Sequence, residues 1–131
     1  MKITSIIARF HLGLIFLVFG LNGFLHFIPS PSPSGTAGQF VGALFVSHYL
    51  VPIFLLQVIS AALLLVNRYV PLALTLLAPI SVNILLIHTL MLPSGLPLAL
   101  LVTVLWVLVF LSVRSAFAGL WQQRVAAQVL R

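Results

Sequence analysis

The chain contains no aspartate, no glutamate and no cysteine. Each absence removes a class of chemistry. Without carboxylates there is no acid pair for glycoside hydrolysis, no acid to orient a catalytic histidine, and no side-chain cage for Ca²⁺ or Mg²⁺. Without thiols there is no cysteine nucleophile, no disulfide and no thiolate-held iron–sulfur cluster within the chain. Charge of either sign is scarce, at 5% of 131 residues, against about 25% in an ordinary soluble domain. Such a chain cannot cover a globule with polar surface. Disorder is equally excluded, because 63% of the residues are hydrophobic and disordered chains are poor in them. With a mean hydropathy of +1.32, the natural solvent is a bilayer.

The charges that are present are all positive: Lys2, Arg9, Arg68, Arg114, Arg124 and Arg131. A net charge of +6 invites a nucleic-acid reading. These residues are single and widely spaced, however, and membrane topology explains them better, so no nucleic-acid partner is expected. Residues 10–67 form a run of 58 without Lys or Arg, and residues 69–113 a second run of 45. A single span needs about 20 residues, so each run holds two spans and a turn. Each is broken in its interior, the first by Pro29-Ser30-Pro31-Ser32-Pro33-Ser34-Gly35 and the second by Pro93-Ser94-Gly95-Leu96-Pro97. Such clusters are breakers.

The expected fold is therefore all-α, an integral membrane four-helix bundle over residues 1–118. Its spans are expected at about 4–28, 46–66, 70–91 and 97–118, with a basic cytoplasmic tail over 119–131. In this arrangement Lys2, Arg9, Arg68 and Arg114 are topology anchors that fall on one side. By the positive-inside rule that side is the cytoplasm, and both termini lie there. A cleaved signal peptide is the rival reading for residues 1–28. That stretch is too long, Arg9 interrupts its start, and no clean small-x-small site follows.

Residues Gln39–Phe45 are expected to form a short helix on the outer surface, followed by Ser47-His48-Tyr49 and by Pro52 in the first turn of the second span. Residues 67–71 permit only a tight antiparallel hairpin. Tyr69 and Trp121 suit the interfacial belt. The tail carries Phe117, Trp121, Val125 and Val129 at four-residue steps, with Arg124 and Gln128 close to that face. This is a weak pattern for an amphipathic surface helix.

Two blocks carry a family resemblance. One runs Gly13-Leu14-Ile15-Phe16-Leu17-Val18-Phe19-Gly20-Leu21-Asn22-Gly23-Phe24-Leu25-His26-Phe27-Ile28-Pro29. The other begins Asn67-Arg68-Tyr69-Val70-Pro71-Leu72-Ala73-Leu74 and continues through Ala78-Pro79-Ile80-Ser81-Val82-Asn83-Ile84-Leu85-Leu86-Ile87-His88. With Ser47-His48-Tyr49 they resemble the DoxX-like family of small bacterial membrane proteins, over roughly residues 6–117. The resemblance implies a four-helix inner-membrane protein. Some relatives are associated with thiosulfate–quinone oxidoreduction and others with membrane oxidoreductase complexes. The family often has an acid where this chain has Gln57, and another near Thr103-Val104-Leu105-Trp106.

Polar residues inside a membrane are expensive and raise a functional question. Their bland role is to join helices through hydrogen bonds of about 0.6 kcal/mol. His11, Asn22 and His26 fall within about 60° on one face of the first helix, a face expected to point into the bundle. Gly13 and Gly20 lie opposite, where they allow another helix to approach closely. At 1.5 Å per residue, Asn22 is about 20 Å from Arg9 and Asn83 about 20 Å from Val70, while His26 and His88 are about 26–27 Å in. His48 lies near the same outer surface, and Gln57 is about 15 Å from Asn67.

The candidate ligand-binding cluster is thus Asn22, His26, His48, Gln57, Asn83 and His88. Asn83 and His88, however, are about 140° apart on a straight helix. The histidines admit three readings: helix-bridging or interfacial groups, donors to a quinone or another polar headgroup, and metal or haem ligands. The sequence has no close ligand spacing, so no metal is assigned.

Three functions follow. The first is a redox accessory subunit that holds a quinone beside partner subunits of a membrane oxidoreductase. Lacking cysteine, it would draw electrons from a partner or a bound cofactor. The second is a non-catalytic scaffold in the lipid bilayer, docking other subunits or a second copy of itself. The third is a small transporter, for which histidine is the one side chain titrating near neutrality. No residue is assigned a catalytic role.

Overall fold

The computed structural model describes residues 2–125, and all of its regular structure is helical. Five α-helices follow in order: α1 (Ile3–Leu25), α2 (Gly35–Val46), α3 (Leu50–Leu65), α4 (Val70–Leu90) and α5 (Leu96–Val113). Short 3₁₀ segments cover Pro93–Gly95 and Arg114–Trp121. Three stretches are long and apolar enough to cross a membrane: α1, α4, and the run from Pro93 to Trp121 that contains α5. The count is four if α2 and α3, bent by 85° at their junction, form one broken span. The chain is a membrane protein by length and composition of its helices.

The helix ends follow from local chemistry. The last residue-to-carbonyl bond of α1 comes from His26, a residue in the left-handed region (φ 52°), whose N–H donates to Asn22 O at 2.9 Å. Asn22 Oδ1 then accepts Ile28 N–H at 2.7 Å and ties down the segment that leaves the helix. Pro29 cannot continue a helix, as is common just past a C-cap. The first helix therefore stops at Leu25 rather than near residue 28. The turn between α2 and α3 carries His48 at φ 59°, and the α3–α4 hairpin carries Asn67 and Tyr69 at φ 54° and 52°.

The expected second span from residue 46 is shorter, starting at Leu50. The short outer helix expected over 39–45 is longer, at Gly35–Val46. At its other end, the last expected span gives up α-helical form at Val113 and tightens to 3₁₀ through Trp121. The part of the expected tail helix that includes Gln128 and Val129 lies outside the described residues.

The main helix pairs are α1 with α3, α1 with α5, α3 with α4, and α4 with α5. The α1–α3 seam is antiparallel and lined with glycine. A Cβ at Gly13 would stand 2.9 Å from Leu65, and one at Gly20 would stand 2.9 Å from Val58 Cγ2 and 3.2 Å from Val58 N. A Cβ at Gly23 would overlap the Phe54 ring. Small residues let helix backbones approach where lipid offers no hydrophobic drive to associate.

This seam corrects the expected orientation of α1. His11 is exposed, with Nδ1 2.8 Å from Ile7 O of its own helix. The inward face is set by Leu12, Gly13, Phe16 and Gly20, all buried. Close backbone approach decides the rotation of α1, not the polar stripe.

The apolar core joins Leu12 and Phe16 of α1 to Leu64 of α3, to Leu74 and Leu77 of α4, and to Val109 of α5. At that end Trp106 Nε1 donates to Leu74 O at 3.1 Å, linking α5 to α4. Arg9 stands apart from the other expected anchors. Lys2, Arg68 and Arg114 are exposed, as anchors should be, but Arg9 is 9% exposed and its Nη1 donates to Leu64 O in the last turn of α3. A cation there meets the negative end of a helix, so Arg9 joins α1 to α3 from inside the fold.

Candidate functional site

At the end opposite Arg9 the helices enclose a cavity of about 720 Å³. Its walls come from the C-terminal part of α1, the N-terminal part of α3, His88 and Ile84 of α4, and Leu98, Ala99 and Val102 of α5. The Ile28–Pro33 segment and α2, through Gly38, Val41, Gly42 and Phe45, close a further side. Gly38 is required there: a Cβ on it would overlap the Pro33 carbonyl, which lies against the α2 backbone. The volume is that of an ordinary small-molecule site, apolar with a few polar groups that set orientation.

Four of the six candidate residues line this cavity: Asn22, His26, Gln57 and His88. They come from three helices and sit in distinct environments. Asn22 is half-buried. Its Oδ1 accepts Ile28 N–H, and its Nδ2 has no partner among the described residues. His26 is exposed, and its ring lies 5.8 Å from that of Phe45. His88 is half-buried, with Nδ1 2.9 Å from Leu92 O.

Gln57 carries the strongest signal. It is only 7% exposed, yet its amide has no hydrogen-bond partner among the described residues. It is also not among the fully enclosed unpartnered atoms of the described residues, which are Arg9 Nε, Ser60 Oγ and Ser81 Oγ. The amide of Gln57 is therefore open to the cavity. Burying an amide without a partner costs about 1–3 kcal/mol, a cost that a ligand or water would offset.

Two candidates leave the cluster. Asn83 is exposed on the outside of α4, and its Nδ2 donates to Pro79 O at 2.8 Å. The 140° separation from His88 persists because α4 stays helical to Leu90, so only one of the two can face inward. Asn83 satisfies itself on its own helix. His48 is exposed in the α2–α3 turn and does not line the cavity. Matching depth brought it into the expectation, but the 85° bend carries it to the outside of the corner.

Sequence reasoning missed Phe54, Phe45 and Gly95. Phe54 fills the space left by Gly23 and meets Phe24 edge-on at 6.1 Å. Gly95 makes room for the His88 ring, which a Cβ there would overlap. The available signal was glycine placed between two breakers, and it reads equally well as a simple turn. Among the described residues no group of three His, Cys, Asp or Glu side chains is placed to hold a metal. The arrangement suits an uncharged headgroup with an apolar body. Comparison of the chain with protein-family models, with curated proteins and with solved structures finds no match.

Proposed function

We propose that this protein crosses an inner membrane four times and holds the headgroup of a quinone-class amphiphile in the cavity, as an accessory subunit of membrane oxidoreduction. The observation that carries the reading is Gln57, buried, unpartnered and open to a cavity it shares with Asn22, His26 and His88. Quinone oxygens would accept from Asn22 Nδ2 and Gln57 Nε2, and Phe16, Phe19, Phe54 and Val102 offer apolar surface to the ring and tail. The resemblance to DoxX-like proteins supports the same class. The chain has no redox centre of its own side chains, so electrons would pass between the bound quinone and a partner subunit.

The orientation proposed with it puts both termini and Arg68 in the cytoplasm, on the strength of the one-sided distribution of Lys and Arg. Because the chain lacks cysteine, a single cysteine reports cleanly. An impermeant thiol reagent applied to whole cells should label Ser32→Cys and spare Arg68→Cys. The reverse pattern would overturn the orientation.

The binding reading is tested by purifying wild type and Gln57→Leu in mild detergent and extracting bound lipophiles. Quinone should accompany the wild type. The variant should lose it, about ten- to hundredfold in affinity for one buried hydrogen bond, with a melting temperature unchanged or raised. Unchanged quinone content in the variant, or a wild type that takes up no quinone when supplied with it, would sink the reading.

A further inference from the structure

We infer that the cavity selects the reduced, hydroxyl-bearing form of its headgroup over the oxidised form; this rests on the quinone-class reading above. The reason lies in the hydrogen-bonding polarity of the groups. Leu92 O can only accept, so His88 Nδ1, 2.9 Å away, carries the hydrogen. In the neutral ring Nε2 is then a lone-pair acceptor. It has no partner among the described residues and is not sealed off, since it is absent from the enclosed unpartnered atoms. Asn22 differs from it: its Nδ2 donates, while its Oδ1 accepts Ile28 N–H and keeps a second lone pair. Gln57 brings both a donor and an acceptor.

The lining thus includes one nitrogen that can only accept and two amides that both donate and accept. A benzoquinone has two carbonyl oxygens and no donor. It can accept from Asn22 and Gln57, but it has no hydrogen for His88 Nε2 and leaves that acceptor unpaired. A benzoquinol has a hydroxyl hydrogen to give Nε2 and oxygen lone pairs to take Asn22 Nδ2–H. A site built to bond a hydroxyl discriminates strongly against the analogue that lacks it, because its own polar group is left unpaired.

The fold holds the ring in this tautomer. The 3₁₀ turn at Pro93–Gly95 returns Leu92 O toward the end of α4, where it accepts from both Gly95 N–H, at 3.2 Å, and His88. Gly95 has an ordinary φ of −91°. What this position requires is the missing side chain, because a Cβ would overlap the imidazole.

The expected preference is about tenfold or more in affinity, the equivalent of one unmade hydrogen bond to a part-buried group. For a two-electron couple each tenfold raises the midpoint potential of the bound form by about 30 mV.

The test measures equilibrium binding of a decyl-substituted benzoquinone, and of its quinol under argon, to the full chain in detergent at one fixed pH. Wild type should bind the quinol about tenfold more tightly. His88→Phe should bring the two forms to near equality by weakening the quinol alone. Where His88→Phe lowers the melting temperature too far to measure, Gly95→Ala keeps the imidazole but displaces it and should erase the preference as well. Equal affinities in wild type would overturn the selectivity and leave the quinone-class reading standing. Binding of neither form would overturn both. A preference that persists in a folded His88→Phe or Gly95→Ala protein would overturn the assignment to His88.

Discussion

The two ends of this molecule treat polar groups in opposite ways. At the Arg9 end they join one helix to another: Arg9 to Leu64 O and Trp106 to Leu74 O, around the fully buried Leu12, Leu64, Leu74, Leu77 and Val109. At the Gln57 end they line a cavity, where Gln57, Asn22 Nδ2 and His88 Nε2 have no partner among the described residues. The first region exchanges buried donors for helix–helix contact. The second forgoes that exchange and keeps polar capacity unfilled beside apolar walls, the feature on which the proposed binding role rests. Three atoms of the described residues are enclosed without a hydrogen-bond partner: Arg9 Nε at the packed end, and the hydroxyls of Ser60 and Ser81. Being enclosed, they offer nothing to a ligand.

The seam between the regions is where the comparison breaks most easily. A Cβ on Gly20 would stand 3.2 Å from Val58 N and 3.1 Å from the Cβ of Gln57. Backbone cannot rotate aside, so Gly20→Leu should force α1 from α3 and cost about 1–3 kcal/mol. Leu21→Ala, at a half-buried position, should lower the melting temperature in detergent by less. Equal or reversed effects would show that the close α1–α3 approach does not hold the packed end together.

A smaller effect sharpens the other side of the comparison. Asn83 is polar and intramembrane by sequence, yet it is exposed and bonded to its own helix. Asn83→Leu should therefore change stability by no more than about 0.6 kcal/mol and leave bound quinone at the wild-type level. Melting and extraction on the same preparation check both. A loss of quinone in this variant, comparable to that of Gln57→Leu, would return Asn83 to the site.

How far the candidate site was legible depended on which geometric quantity each residue tested. Depth along a helix is a product of residue number and a fixed rise. Asn22, Gln57, His26 and His88 were accordingly found at levels that let them meet around one cavity. Rotation about a helix is decided by its neighbours. The polar stripe of α1 therefore misjudged His11, whereas Gly13 and Gly20 marked the true contact face. For Asn83 and His88 the angular separation was visible in their spacing, but only the packing of α4 chose which one turns inward. His48 failed for a third reason, because a left-handed residue at a sharp corner redirects the chain in a way that apolar composition does not encode.

The sequence by itself determined the solvent, the class of structure and the excluded chemistries. Composition and the spacing of breakers act locally, and a chain with 5% charge and 63% hydrophobic residues has few alternatives to membrane helices. It also placed the hairpin at residues 67–71 and the starts of α4 and α5 within a residue. Only the tertiary structure decided that Arg9 is a buried link, that α2 folds over against the cavity at 85° to α3, and that Gln57 is left without a partner. Each of these depends on which side chains a second helix brings within a few ångströms, and that is a property of packed pairs rather than of any one segment.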